Sequence, residues 1–268
     1  MQKIIKNYTV NQLRKLRSLI FSKSIFVHAN ANSWINKTGK IDESTTYSGL
    51  FSEESEGCLK WNHFSTIYDE LLGQYRSKIN LKVLEIGVQY GGSQRILRKY
   101  FHNSATITGI DIDDNCLNID TGTNLRIGSS RDENFLKSIV EEMGGIDIVI
   151  DDGSHRSSDQ KISFEILFPL LSNHGLYIVE DLEHSYFWQS GGVPYLPNTF
   201  WNYAKRTTEL LNNTFRIYPK LGTLKLDHSD LFSIKFYPQL IAFQKLTRNN
   251  LFVSKVGHQY PEGSNGPQ

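Results

Sequence analysis

Residues Lys82–Asp113 read KVLEIGVQYGGSQRILRKYFHNSATITGIDID. Lys82–Val88 is a short apolar run of strand length, and a Gly-rich turn breaks it. SQRILRKYF then has helical apolar spacing, and Ala105–Asp113 is a second apolar run. Two strands separated by a helix predict a parallel pair, because a parallel pair needs a crossover connection. Outward from this unit the alternation continues. LRIGSS predicts a third strand, ENFLKSIVEEM a helix, IDIVIDD a fourth strand, a helix follows through Phe164 and Leu167, and GLYIVED predicts a fifth strand. Strands apolar on both faces and separated by helices imply a parallel sheet covered on both sides. The C-terminal pattern differs. SIKFY (Ser233–Tyr237) and QLIAFQKL (Gln239–Leu246) have only Pro238 between them. So short a link forces an antiparallel hairpin.

The expected fold class is therefore α/β: a Rossmann-like, doubly wound, seven-stranded sheet, mostly parallel, with a C-terminal antiparallel hairpin and an N-terminal helical extension. Residues 1–60 are read as that extension, with helical spacing over Val10–Ile25 and a polar, turn-rich stretch over 30–58. It is expected to act as a lid or an oligomer contact. Residues 61–250 are read as the main domain, opened by a helix with Phe64, Ile67, Tyr68, Leu71 and Leu72 on one face. Residues 251–268 are read as a flexible tail.

A net charge of +1 gives the whole molecule no bias toward nucleic acid or anionic membranes. The basic start is followed by LIFSKSIFV, which Lys23 interrupts. That run is too short for a signal peptide or a membrane span, so no stable membrane insertion is expected. Two cysteines, Cys58 and Cys116, make no disulfide framework and no metal spacing. A cytoplasmic homo-oligomer is the expectation.

In open α/β sheets, ligands lie beyond the carboxyl ends of the strands at the switch point. The first strand ends in G-x-x-x-G-G, not the G-x-G-x-x-G of a dinucleotide site. Its E-x-G-x-x-x-G pattern instead resembles the loop that binds S-adenosylmethionine (SAM). On that resemblance Glu85 lies beneath the methionine end, and Gly87 makes the sharp turn. Tyr90 and Gly91 lie against the cofactor, and Ser93 meets its carboxylate at a helix N-terminus. Asp111, ending the second strand, would accept the ribose hydroxyls. Ser129 and Ser130 would lie near the adenine. The same residues also have plainer readings, a tight Gly turn and an Asp that caps a helix.

Asp151 and Asp152 end the fourth strand, and Glu180 and Asp181 end the fifth. Carboxylates gathered at neighbouring strand ends repel each other unless a cation sits among them. The default is a hard divalent ion with oxygen ligands, Mg2+, with Mn2+ or Ca2+ as substitutes. Helix capping and simple solvation are the alternatives for these acids, and a packed turn is the alternative for His155.

DDGSH, VED and their flanks resemble the metal-dependent sugar O-methyltransferases of the mycinamicin, macrolide-tailoring type. The resemblance covers roughly Trp61–Leu246. It implies that Asp152, Glu180 and Asp181 hold the metal, and that His155 is the general base beside Asp152. It also implies that Asp151 contacts SAM or orients the loop. The substrate would be a sugar hydroxyl on a glycoside, glycoconjugate or polysaccharide. A catechol-like diol acceptor and a non-catalytic SAM-binding relative stay open as alternatives. His184 is expected as a further contact rather than a ligand. Tyr186, Phe187 and Trp188 are candidate walls for a sugar ring, and His63 and Tyr68 are candidates to reach the site.

Overall fold

The computed structural model describes residues 45–193, 198–212 and 230–247. These fall within one compact unit, Asp42–Gln268, while the other unit, Met1–Ile41, lies outside the described residues. So do the expected helix over Val10–Ile25 and the expected tail.

Seven strands form one sheet: β1 (Lys82–Ile86), β2 (Thr106–Asp111), β3 (Asn124–Ile127), β4 (Ile146–Asp151), β5 (Leu171–Val179), β6 (Leu231–Tyr237) and β7 (Leu240–Lys245). Their spatial order is β3-β2-β1-β4-β5-β7-β6. The first five pair in parallel, and β7 pairs antiparallel with both β5 and β6. The expected fold class holds, hairpin included. The hairpin turn is Pro238–Gln239, with Tyr237 opposite Leu240 and Gln239 at φ 57°. The order reverses between β1 and β4, and that reversal sets the ligand crevice at their carboxyl ends.

Helices cover both faces. α1 (Tyr47–Glu53), α2 (Phe64–Leu72) and α3 (Gly92–Tyr100) lie on one side, where Tyr47, Tyr68, Leu72 and Ile96 pack with Val83, Ile148 and Ile178. α4 (Glu133–Met143), α5 (Ser157–Leu167) and α6 (Phe200–Asn212) lie on the other, where Leu136, Phe164 and Phe200 pack with Leu84, Val149 and Phe243. Phe164 is the hub of that layer, with the Tyr177, Phe200 and Phe243 rings 4.5–5.9 Å away. Truncating such a side chain costs about 3–5 kcal/mol.

Two helices were not expected from the sequence. α1 lies in the stretch read as polar and turn-rich, inside residues 1–60. The Thr46 hydroxyl caps it by accepting from Gly49 N, and Asp69 of α2 accepts from the backbone N–H groups of Tyr47 and Ser48. Tyr47 then stacks on Tyr68 at 4.6 Å. A helix of seven residues with two buried side chains carries too little periodicity to be read in advance. α6 buries Phe200, Tyr203, Ala204 and Leu210 against α5 and β6.

Among the described residues, no helix is long and apolar enough to cross a membrane.

Candidate active site

A cavity of about 1110 Å³ opens at the carboxyl ends of the parallel strands. One wall is the β1–α3 loop, the opposite wall joins the ends of β4 and β5, and residues 57–62 close one side. Its volume suits a ligand and an acceptor together, at the upper end of the usual pocket range of roughly 300–1,000 Å³.

The first wall is built by close approach. Gly87 has φ +93°, and a Cβ there would run into the carbonyl of Asp152. The glycine lets β1 turn against the end of β4, which brings the two walls together. Asp111 fixes the loop from β2. Its carboxylate accepts from Val88 N at 2.8 Å, Gln89 N at 3.2 Å and Asp113 N at 3.0 Å. Partial burial would raise its pKa, but these three donors outweigh it and hold the carboxyl below the usual range. A carboxylate has about four acceptor sites, so Asp111 keeps capacity toward the cavity it lines.

Ser93 lines the cavity in the first turn of α3, with its buried hydroxyl beside the Glu85 carboxylate. A hydroxyl beside helix N–H groups suits a ligand carboxylate. Tyr90, Ser129 and Ser130 also line the cavity.

Three of the expected cofactor residues, Gly91, Glu85 and Asp151, do not line the cavity. Gly91 does not line the cavity. A Cβ on it would meet Thr121 and Ile119, so its φ of +73° serves the packing of the chain. Glu85 is fully buried behind the wall, where its carboxylate accepts from Gln94 Nε2. Burial raises the Glu85 pKa and the charge of Lys60 opposes that shift. Asp151 points into the core beneath α5, accepting from the Ser163 hydroxyl at 2.5 Å and the Tyr177 hydroxyl at 3.2 Å. Alternation along β4 explains that inward direction: consecutive strand residues face opposite sides of the sheet.

The acidic clusters resolve into two layers. In the inner layer, Lys60 Nζ lies 2.7 Å from Asp152 Oδ2 and 2.7 Å from Glu180 Oε1, with Glu85 Oε1 at 3.9 Å. The Lys60 side chain is 2 % exposed. Its own burial would lower its pKa, but Asp152 and Glu180 outweigh that and hold it well above the usual range. The Tyr68 hydroxyl also donates to Glu180 Oε1. Burial, and then the charge of Asp152, raise the Glu180 carboxyl against the pull of Lys60. Burial likewise drives the nearby Cys58 thiol up to about 12, which leaves it protonated and unreactive.

In the outer layer, Asp152, His155 and Asp181 each bring a ligand atom within 4.8 Å of the others. His155 Nε2 lies 3.6 Å from Asp181 Oδ2, and Trp61 Nε1 donates to Asp181 Oδ1 at 3.0 Å. His155 Nδ1 is buried without a hydrogen-bond partner among the described residues. His155 (φ 55°) and Asp181 (φ 53°) both occupy the left-handed region. Such residues cost of order 1–3 kcal/mol each and concentrate at functional sites. Glu180, expected beside Asp181 as a ligand, has its Oε1 turned to Lys60 and the Tyr68 hydroxyl.

His184 stands at the edge of the cluster. Its ring lies 4.9 Å from that of His155, and its Nδ1 is 2.7 Å from Ser190 Oγ. Tyr186, Phe187 and Trp188 follow with large exposed faces, Trp188 at 77 %. Tyr68 reaches the site, whereas His63 turns its Nε2 to the Pro238 carbonyl. Lys60 and Trp61 were not foreseen. The one sequence signal for Lys60 is indirect: the acids demand a cation, and a lysine stands just before a helix that packs beside them.

This geometry agrees with the comparisons to known proteins. The 2'-O-methyltransferase of 8-demethyl-8-alpha-L-rhamnosyl tetracenomycin-C from Streptomyces olivaceus is 31% identical over 202 residues, covering 70% of this chain and 52% of the relative. The mycinamicin VI 2''-O-methyltransferase of Micromonospora griseorubida is 38% identical over 146 residues, covering 51% and 35%. Demethylmacrocin O-methyltransferase of Streptomyces fradiae is 34% identical over 142 residues, covering 51% and 35%. The chain is homologous to sugar O-methyltransferases. Its fold is that of the MycE methyltransferase from the mycinamycin biosynthetic pathway, solved in complex with Mg, SAH and mycinamycin VI. That match has a TM-score of 0.65 at 28% identity, over 75% of this chain and 54% of the other. The chain thus spans between a third and about a half of the length of these relatives. No family model matches it.

Proposed function

We propose that this protein is a SAM-dependent O-methyltransferase that methylates a sugar hydroxyl with the help of a divalent cation. The observation that carries this reading is the convergence of Asp152, His155 and Asp181 at the mouth of a cavity whose far wall carries Gly87, Ser93 and Asp111. The sugar O-methyltransferase relatives, and the Mg and SAH of the MycE complex, support the same choice.

The donor set fits both groups. Two carboxylates are hard oxygen ligands of the kind Mg2+ takes, and they would hold it with further oxygens from solvent or substrate. The Ser93 hydroxyl and the α3 N-terminus suit the carboxylate of SAM, and Asp111 suits its ribose. A bound divalent cation lowers the pKa of an alcohol it touches, and SAM supplies an already activated methyl group.

The protein's own residues supply position and a proton acceptor. Asp152 and Asp181 fix the acceptor side of the cavity opposite the cofactor wall, which is worth much of the rate through orientation. His155 Nε2 faces the same space and takes the hydroxyl proton as the oxygen bonds to the methyl carbon. An imidazole ring nitrogen positioned beside the acceptor is suited to that proton transfer. Phe187, whose ring lies 5.3 Å from that of His184, and the neighbouring Trp188 are exposed and offer apolar faces to a sugar ring. The acceptor in this reading is a sugar-bearing small molecule or glycan, and neither nucleic acid nor lipid is required. A cytoplasmic location, which suits the two free thiols Cys58 and Cys116, and a homo-oligomeric state complete the proposal.

The test compares thermal shifts with SAM and with NAD, then measures methyl transfer to a panel of rhamnosides and other glycosides with and without EDTA. Stabilisation by SAM alone and chelator-sensitive transfer are expected. Stabilisation by NAD, or transfer that survives complete metal removal, overturns the reading.

A further inference from the structure

We propose that Asp159 is a positioning residue that anchors two walls of the cavity from one carboxylate, the loop that carries His155 and the loop that follows β3. Through Ser154 it fixes the backbone on which His155 sits. Through Arg131 it ties that backbone to Ser129 and Ser130. The roles of His155 and of the cofactor wall rest on the proposed function, whereas the contacts of Asp159 exist without it.

Asp159 stands in the first turn of α5, buried, at the edge of the cavity. Its Oδ2 accepts from Ser154 Oγ at 2.8 Å. Its Oδ1 accepts from Ser158 Oγ at 2.7 Å and from Arg131 Nη1. Burial would raise the Asp159 carboxyl, but Ser158, Ser154 and Arg131 outweigh it and hold it below the usual range. The anchor is therefore a carboxylate at neutral pH, with enough acceptor sites for all three donors.

The Ser154 arm reaches the base. Besides donating to Asp159, the Ser154 hydroxyl accepts from Arg156 N at 3.3 Å, so it brackets His155 from both sides. His155 holds φ 55°, a conformation that costs of order 1–3 kcal/mol and persists only where its surroundings fix it. A hydroxyl free to rotate would let that turn relax, and one held by a buried carboxylate does not. The Arg131 arm reaches the other wall. Ser129 Oγ accepts from Arg131 N at 3.2 Å, and Ser129, Ser130 and Arg131 all line the cavity. In the sheet, β2 and β1 lie between β3 and β4, so no strand ladder sets the spacing of the two loops directly. The packing of α4 on α5 and the contacts of Asp159 supply that link.

The experiment reads the two arms separately in Ser154→Ala, Arg131→Met and Asp159→Asn. SAH affinity is measured by calorimetry, and kcat at saturating SAM on a glycoside that the wild type methylates. Ser154→Ala should lower kcat about tenfold, the effect of a misplaced reacting group, and change SAH affinity less than about twofold. Arg131→Met should weaken SAH about threefold or more. Asp159→Asn should do both. In a His155→Ala background, Ser154→Ala and Asp159→Asn should lower kcat no further, because they act through that ring. A further loss of about tenfold in that background is what a general structural role gives, and it overturns the proposal. So does an Asp159→Asn protein with wild-type kcat or wild-type SAH affinity.

A second readout needs no activity. The imidazole NMR signals of His155 in isotope-labelled protein, assigned by their loss in His155→Ala, should shift or split in Ser154→Ala and Asp159→Asn. Signals unmoved in both variants overturn the anchoring of His155. If Asp159→Asn does not fold, Ser154→Ala and Arg131→Met, both at exposed positions, carry the same tests. Failure of the wild type to bind SAH, or full kcat in His155→Ala, would instead fall on the proposed function, and the NMR signals would still decide what Asp159 holds.

Discussion

Gly87→Ala tests the close approach on which the whole crevice depends. Gly87 sits at φ +93°, and a Cβ there would overlap the backbone carbonyl and carbonyl carbon of Asp152. Two penalties follow. The left-handed conformation costs an L-residue about 1–2 kcal/mol. Forcing a methyl group into backbone that cannot swing aside costs about 1–3 kcal/mol more. The reduced entropy of the unfolded chain returns about 0.4–1 kcal/mol. The net loss is about 2–4 kcal/mol, or roughly 5–15 °C in melting temperature for a chain of this size. Gly191→Ala is the matched control. It has φ +73° and nothing within 4 Å of its added Cβ, so it bears the backbone penalty without the clash. Differential scanning fluorimetry of the two variants isolates the contact between the β1 and β4 ends. The SAM-induced shift should also shrink in Gly87→Ala, because the displaced carbonyl belongs to the loop that carries Asp152. Equal melting temperatures for the two variants would refute the close approach, and with it the account of how the two walls meet.

His155→Ala should lower the turnover rate about a hundredfold or more while leaving SAM binding by calorimetry unchanged; an unaltered rate removes His155 from the base role. Asp111→Asn places an amide where three backbone N–H groups donate. It should cost about 1–3 kcal/mol and weaken SAM by about tenfold, and full-strength SAM binding would argue against the ribose role. The two ends of β4 should show opposite pH dependence. Asp147 is held below its usual range by donors that outweigh its burial, among them Ser172 and Lys78. Its stabilisation is present above the unfolded value near 3.8 and is lost as pH falls through the lower folded value. Asp151 is raised by burial despite Ser163, so its favourable contribution is full at low pH and fades as pH rises above about 3.8. Urea melts between pH 3 and 6 should therefore show Asp147→Asn flattening the acid loss and Asp151→Asn steepening it. The same slope in both variants would contradict the assignment.

The parts of this protein legible in sequence are those governed by short-range periodicity. Strand β1, the glycine turn and α3 were read within a residue or two because apolar runs and Gly punctuation are local signals. α4 was read at its full extent, and in the structure Asp132 caps its start and Gly144 ends it. The hairpin followed from a link too short for any other connection. What escaped depends on partners far away in the chain. Glu85 matches a cofactor-loop pattern yet serves the core, because Gln94 and Lys60 lie behind the wall and not in front of it. Gly91 was expected against the cofactor. In the structure a Cβ on it would strike Thr121 and Ile119, and the neighbouring Gly92 packs against Gly57 and Cys58 of the segment that delivers Lys60. A sequence shows that an acid must be compensated, but the compensating group can lie 92 or 120 positions away.

Backbone conformation then decides how the acids divide. Along an extended strand, Glu180 and Asp181 would alternate faces in the regular way and nothing would mark the second as special. Asp181 instead leaves the strand at φ 53°, and His155 turns at φ 55° in the facing loop. Each of these residues bears a conformational cost that glycine would avoid, and neither position carries glycine. The cost is borne where side chains are needed, at the two residues whose polar atoms come within 3.6 Å across the mouth. The acid on the buried side of that turn meets a lysine and a tyrosine, and the acid on the open side meets an indole N–H and an imidazole. Replacing Asp181 by Gly should therefore relieve strain and raise stability in EDTA, by up to the about 1–2 kcal/mol that a left-handed position costs a non-glycine residue. The same change should abolish Mn2+ binding. A glycine variant that is less stable than wild type without metal would mean that the Trp61 and His155 contacts outweigh the strain, and that the turn is held for structure rather than for the ion.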